Sequence, residues 1–115
     1  MFYPMTPPNP AESELLKNLL EPLLEDFQYW FGRSRTLLET EKIDFLGAEK
    51  QAEMLSRVQA ASEEVKIAKQ LFVVTNGQAG VQMQVLMPWH QLLTECWQVS
   101  IRFRQEQAAQ QQSEP

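Results

Sequence analysis

The chain has one cysteine and one histidine in 115 residues. A lone cysteine excludes an intramolecular disulfide framework, and a lone histidine excludes any site built from several imidazoles. No Glu-x-x-His pair occurs, so the helical di-iron ligand pattern is missing too. Basic residues are scarce: ten Lys+Arg stand against fifteen Asp+Glu, a formal net charge of −5. A general nucleic-acid binder needs a clustered positive surface to displace phosphate counterions, which this balance does not supply. Simple electrostatic docking on anionic lipid is disfavoured for the same reason. Gly77-x-x-Gly80 is too short for a phosphate loop and follows a helical pattern rather than a strand. No apolar run approaches the roughly 18–20 residues that span a bilayer. Residues 1–10 show neither a basic n-region nor an apolar h-region of about 7–15 residues. The expectation is a cytoplasmic chain with no transmembrane segment, able at most to associate peripherally with a membrane.

What is present is apolar and periodic. Hydrophobic residues make up 43% of the chain, enough for one domain with a real core. Residues 1–9 carry Pro4, Pro7 and Pro8 and read as a flexible proline-rich arm, from which Phe2 and Tyr3 could pack back or insert into a partner. Asn9, Pro10 and Glu12 give a helix start: a capping side chain, a preset φ and an acid at the positive end. From there Leu15, Leu16, Leu19, Leu20, Leu23, Leu24, Phe27, Trp30, Phe31, Leu37 and Leu38 recur at spacings of three and four. Most lie on an arc of roughly 140°. This predicts a first helix over about 10–41. Pro22 falls outside the arc, where a proline bends a helix without ending it.

A second helix is expected over 48–74, with Met54, Leu55, Val58, Ala61, Val65, Ala68 and Phe72 inward. Thr75-Asn76-Gly77 supplies its stop, because Asn and Gly tolerate the left-handed cap. Val81, Met83 and Val85 alternate with glutamines in a strand-like way, but no partner strand exists, so helix or irregular lead-in is preferred. Pro88 then opens or kinks a third helix ending near 107, with the domain spanning 10–107. Residues 108–115 read as a disordered Gln-rich tail. The fold expected is all-α, an elongated antiparallel three-helix bundle about 40 Å long with flexible tails.

Chemistry-bearing candidates are few. His90 and Cys96 are six residues apart, about 240° around a helix, so they cannot share a metal or form a catalytic pair within one chain. No catalytic residue, metal ligand or cofactor site is expected, and the chain is not read as an enzyme. Aromatic density suggests a cleft between the first and third helices, with Trp30, Trp89, His90 and Trp97 as candidates to hold a flat apolar ligand or pigment.

Two features fit a core poorly. Tyr29, Gly32 and Arg33 lie off the leucine arc, and a mid-helix glycine costs about 1 kcal/mol relative to alanine. Ile67, Leu71 and Val74 form a second apolar stripe opposite the first on helix two. These six residues are the candidate partner-binding set, whether the partner is another protein or a second copy. Arg33-x-Arg35 and Arg102-x-Arg104 are expected at different depths, each paired with ordinary surface acids.

The strings Leu19-Leu20-Glu21-Pro22-Leu23-Leu24-Glu25-Asp26-Phe27-Gln28-Tyr29-Trp30-Phe31-Gly32-Arg33-Ser34-Arg35 and Leu86-Met87-Pro88-Trp89-His90-Gln91-Leu92-Leu93-Thr94-Glu95-Cys96-Trp97-Gln98 resemble a family of small cyanobacterial proteins known only as a domain of unknown function. The resemblance covers roughly residues 12–106. It implies a cyanobacterial cytoplasm, with the thylakoid surface as a further expectation, and brings no activity and no catalytic residues. The leading functional expectation is a helical protein-interaction module that assists assembly or regulation of a larger complex. The alternative is a small apolar ligand or pigment carrier.

Overall fold

Apolar spacings of three and four dominate the chain, and the structure resolves them into three helices, labelled in chain order: α1 (Pro10–Thr40), α2 (Ala48–Val74) and α3 (Met83–Ser113). The computed structural model describes residues 10–77 and 83–113, and every regular element among them is helical. Asn9, the proline-rich arm and Val81 lie outside the described residues. Pro22 and Pro88 sit inside α1 and α3 without ending them. Each proline is exposed, and so are Asn18 and Gln84, whose carbonyls lose their helical partner. Water can satisfy those carbonyls, so each proline is tolerated.

The two ends of the α1/α2 hairpin are closed by specific contacts. At the turn, the Gln51 side chain reaches back to α1. Its Nε2 donates to the carbonyls of Leu38 (2.9 Å) and Glu41 (2.6 Å), while its Oε1 accepts from the Ile43 amide (3.0 Å). One glutamine thus satisfies carbonyls that α1 leaves open at its C-terminus. Gly47, at φ 79°, makes the entry to α2 in a conformation that a side chain would strain. At the far end, Asn76 adopts φ 53°, the Asn76 amide donates to Val73 and the Gly77 amide to Phe72. This is the paired-carbonyl left-handed stop that Asn-Gly promised. Lys17 of α1 donates to Asn76 Oδ1 at 3.3 Å and locks the end.

Directions follow from which residues meet. Lys17 meets Asn76, Gln28 accepts from Lys69 (3.2 Å) and Leu38 meets Gln51, so α1 and α2 are antiparallel. Phe27 meets Trp89 edge-on (centroids 5.6 Å) and Trp30 meets Trp97 (5.9 Å), so α3 runs parallel to α1. Arg57 of α2 ties to Glu95 of α3 through two hydrogen bonds of 2.7 and 3.2 Å. The core is Leu24, Phe31, Ile43, Val58, Val65 and Phe72, each under 2% exposed. Around it Phe27, Leu38, Ala61, Leu92, Leu93 and Val99 are also buried.

Three expectations change. The molecule measures 67 × 26 × 26 Å, well beyond about 40 Å, because α3 is offset along α1. Phe27 is 17 residues into α1, whereas its partner Trp89 is only six into α3. Trp30 is 20 residues into α1 and its partner Trp97 is 14 into α3, so roughly the first two to three turns of α1 project past the start of α3. Leu15, Leu19 and Leu23, on the leucine arc, are consequently exposed rather than core, Leu19 to 62%. At the other end α3 does not stop near 107. Residues 105–112 are Gln, Glu and Ala with no Gly or Pro, all compatible with helix, and Arg102 pairs with Glu106 one turn on (3.2 Å). The helix continues to Ser113 as an exposed extension.

Phe31→Ala should lower the free energy of unfolding by about 3–5 kcal/mol in urea titrations. Leu19→Ala, on the same arc but uncovered, should change it by less than about 1 kcal/mol. Equal losses for the two would contradict the offset.

Candidate functional site

The packing of the three helices leaves two surfaces. The first is the open end of the hairpin, called the tip below. Leu15, Leu19 and Leu23 lie on α1 around the height where α3 begins, Leu15 before it and Leu23 level with its first turn. On α2, Ile67, Leu71 and Val74 are exposed, Val74 to 82%. These three stay outside because the inward face of α2 is already complete in Val58, Ala61, Val65 and Phe72. Their spacing of four and three keeps them on one stripe.

The second surface is a groove of about 470 Å³ along the outer side of α1 and α3. Trp30 and Trp97 stand edge to face in it, 38% and 41% exposed. Leu37, Ile101 and Phe103 extend its apolar floor, and Arg33, Arg104 and Glu41 border it. The parallel course of α1 and α3 brings Arg33 and Arg104 to this one groove, at different heights along it. Within each Arg-x-Arg pair the other member is occupied: Arg35 pairs with Glu39, and Arg102 pairs with Glu106 while its guanidinium lies 4.2 Å from the Phe45 ring centroid. Among the described residues neither Arg33 nor Arg104 makes an ion pair. Arg33 does donate from Nη1 to the Tyr29 hydroxyl at 3.3 Å.

The expected cleft set divides. Trp30 and Trp97 share the groove. Trp89, only 3% exposed, is core and packs on Phe27. His90 is exposed and does not line the groove. Of the expected partner set, Tyr29 stacks edge-on against Trp30 (5.0 Å), and Gly32 is open, with no heavy atom within 4 Å of where a Cβ would stand. Gly32 therefore serves no close approach within this chain. Tyr29, Gly32 and Arg33 form a continuous face of α1, while Ile67, Leu71 and Val74 belong to the tip. Leu15, Leu19, Leu23, Ile101 and Arg104 were missed as surface residues. The parallel pairing of α1 with α3 is the signal that finds them, and periodicity alone does not carry it.

Cys96 faces inward near Ser34. Burial pushes its thiol above the usual range, partly countered by a hydrogen bond with Ser34. Exposed His90 and buried Cys96 lie on different sides of α3. Glu95 is held below the usual carboxylate range by its hydrogen bond with Arg57. That stabilisation is present above the ordinary carboxyl pKa and is lost as pH falls through the lowered one. Both side chains are over 40% exposed, so the pair contributes under about 1 kcal/mol. Among the described residues no group of three or more His, Cys, Asp or Glu could hold a metal, and no helix is long and apolar enough to cross a membrane.

A family model described as a protein of unknown function, DUF2605, matches residues 10–105. The chain belongs to this family. The matched stretch takes in all of α1 and α2 and α3 as far as Gln105, so both the tip and most of the groove lie within the family domain. No curated protein and no solved structure matches the chain.

Cys96 should resist a thiol reagent in the folded chain at mildly alkaline pH, because the raised pKa lowers the thiolate fraction and burial blocks access. Unfolding in guanidinium should restore labelling to the rate of a free thiol. Fast labelling of the folded chain would place Cys96 outside the core.

Proposed function

We propose that the chain is a non-enzymatic helical interaction module that docks through its tip and assists the assembly or regulation of a larger complex. The observation that supports this is the row of large aliphatic side chains, Leu15, Leu19 and Leu23 on α1 with Ile67, Leu71 and Val74 on α2, exposed at one end of the bundle. Single exposed leucines are ordinary on a protein surface, but three large aliphatic side chains on α1 near the start of α3 and three more on the outer face of α2, gathered toward one end of the hairpin, support a contact surface. A partner that lays an apolar helix face across it would continue the packing α3 provides lower down. A second copy of the chain meets this requirement, since its own tip carries the same unfilled side, and two tips related by a two-fold axis would bury each other. The cyanobacterial cytoplasm or thylakoid surface is the setting that the sequence resemblance suggests.

The ligand-carrier reading has less support. Two of its four residues, Trp89 and His90, lie outside the groove, and the remaining Trp30–Trp97 pair is open to solvent.

Ile67→Glu with Leu71→Glu should abolish association in sedimentation and cross-linking while the circular dichroism of the chain stays helical. Both side chains are more than half exposed, so the variant has little core to lose. If association persists unchanged in the folded variant, the tip is not the docking surface. Unfolding of the variant would instead make the stripe part of the core.

A further inference from the structure

We infer that the groove between α1 and α3 receives an acidic amphipathic helix from a partner protein, with its carboxylates on Arg33 and Arg104 and its apolar face on Trp30 and Trp97. It shares with the proposed function only the premise that the chain binds proteins, and the tip plays no part in it.

Charge is the first support. Arg35, Arg57 and Arg102 each hold a glutamate, whereas Arg33 and Arg104 make no ion pair among the described residues and both border the groove. They outweigh Glu41, so the groove is locally positive in a chain of net charge −5. A guanidinium beside an aromatic floor favours a carboxylate, which it can hold bidentately. Composition is the second. Tryptophan and arginine are enriched at the energetic centres of protein interfaces, and Trp30, Trp97, Arg33 and Arg104 all line this groove.

Geometry chooses the shape of the partner. Two parallel helices with α2 behind them leave the fourth corner of a bundle empty, and a helix is what fills that corner. Setting Phe27 beside Trp89 and Trp30 beside Trp97 places Arg104 roughly 10 Å further along the axis than Arg33. That is the separation of two acids at i and i+7 on a helix, with apolar residues at i+3 and i+4 between them facing Leu37 and Ile101, and apolar residues at i−4 and i−3 on the turn beyond Arg33 facing the tryptophans. A small molecule fits less well, because Trp30, Trp97 and Ile101 on the floor are open to solvent and would leave much of a ligand wet.

The test uses the full chain and a fluorescent synthetic helix of about 20 residues, long enough to fold alone. It carries Glu at i and i+7 with Leu at i−4, i−3, i+3 and i+4, and its counterpart carries Lys at the two acidic positions. Anisotropy and tryptophan emission are read at low salt. The Glu peptide should bind at least about tenfold more tightly than the Lys peptide. Arg33→Gln and Arg104→Gln should each weaken it about three- to tenfold, and Glu41→Gln should strengthen it. Ile67→Glu with Leu71→Glu should leave it unchanged, which separates this groove from the tip. Equal binding of the two peptides, no binding of either, or indifference to both arginine changes would overturn the inference. All three single variants alter exposed side chains, and retained helical circular dichroism confirms that each stays folded.

Discussion

The meeting of Phe27 with Trp89 determines how the third helix sits. Phe27 also stacks on Phe31 at 5.9 Å, so one aromatic cluster joins the middle of α1 to the first turns of α3. Large rings placed edge to face are worth about 0.5–1.5 kcal/mol beyond the area they bury. They also lock axial register, since sliding α3 by one turn would separate Phe27 from Trp89 and Trp30 from Trp97. With that register set, α3 covers the lower part of the hairpin and extends beyond its turn. The upper part of the hairpin is left as two helices with one side unfilled.

The α1 side of the tip and the groove both follow from how α3 sits on α1. At the tip, Leu15, Leu19 and Leu23 lie around the height where α3 begins. Along the groove, the parallel course of α1 and α3 sets Arg33 and Arg104 on a common tryptophan floor. The rest of the molecule is ordinary and well satisfied. Buried positions are all apolar apart from the Cys96 thiol, and no buried side-chain nitrogen or oxygen lacks a partner among the described residues. The turn between α1 and α2 depends on one polar side chain, Gln51, which closes three backbone groups at once. Such a body is rigid in its middle and keeps its unfilled contacts at one end and along one side.

Much of this was legible in the sequence. Pro10 and Asn76-Gly77 mark helix ends by backbone chemistry, and the start of α1 and the end of α2 follow from them closely. The inward face of α2 was readable because its apolar residues keep helical spacing and its opposite face does not mimic them. Axial register was not legible. Periodicity reports the angle of a side chain about its helix and says nothing of whether a neighbour exists at that height. Leu15 and Leu24 therefore look alike in sequence but are exposed and buried in the fold. Trp89 and Trp97 differ by only about 80° on the wheel, yet one is core and the other lines a groove. The Gln51 contacts were invisible for another reason: a single glutamine follows no period. The final turns of α3 were read from low-complexity composition as disorder, where the helix propensity of Gln and Ala prevails.

The most direct measurement is amide hydrogen exchange of the dilute chain, resolved along α1, α2 and α3. Local stability should follow the buried contacts, since helices uncovered on one side open at lower free energy than helices packed on two. Amides in residues 24–38, 58–65 and 89–99 should be the slowest. Those in residues 14–20 and 70–76, at the tip, should exchange at least about 100-fold faster. Uniformly slow exchange over all these segments at the lowest concentration would mean that the tip is already packed within one chain, and would contradict the account.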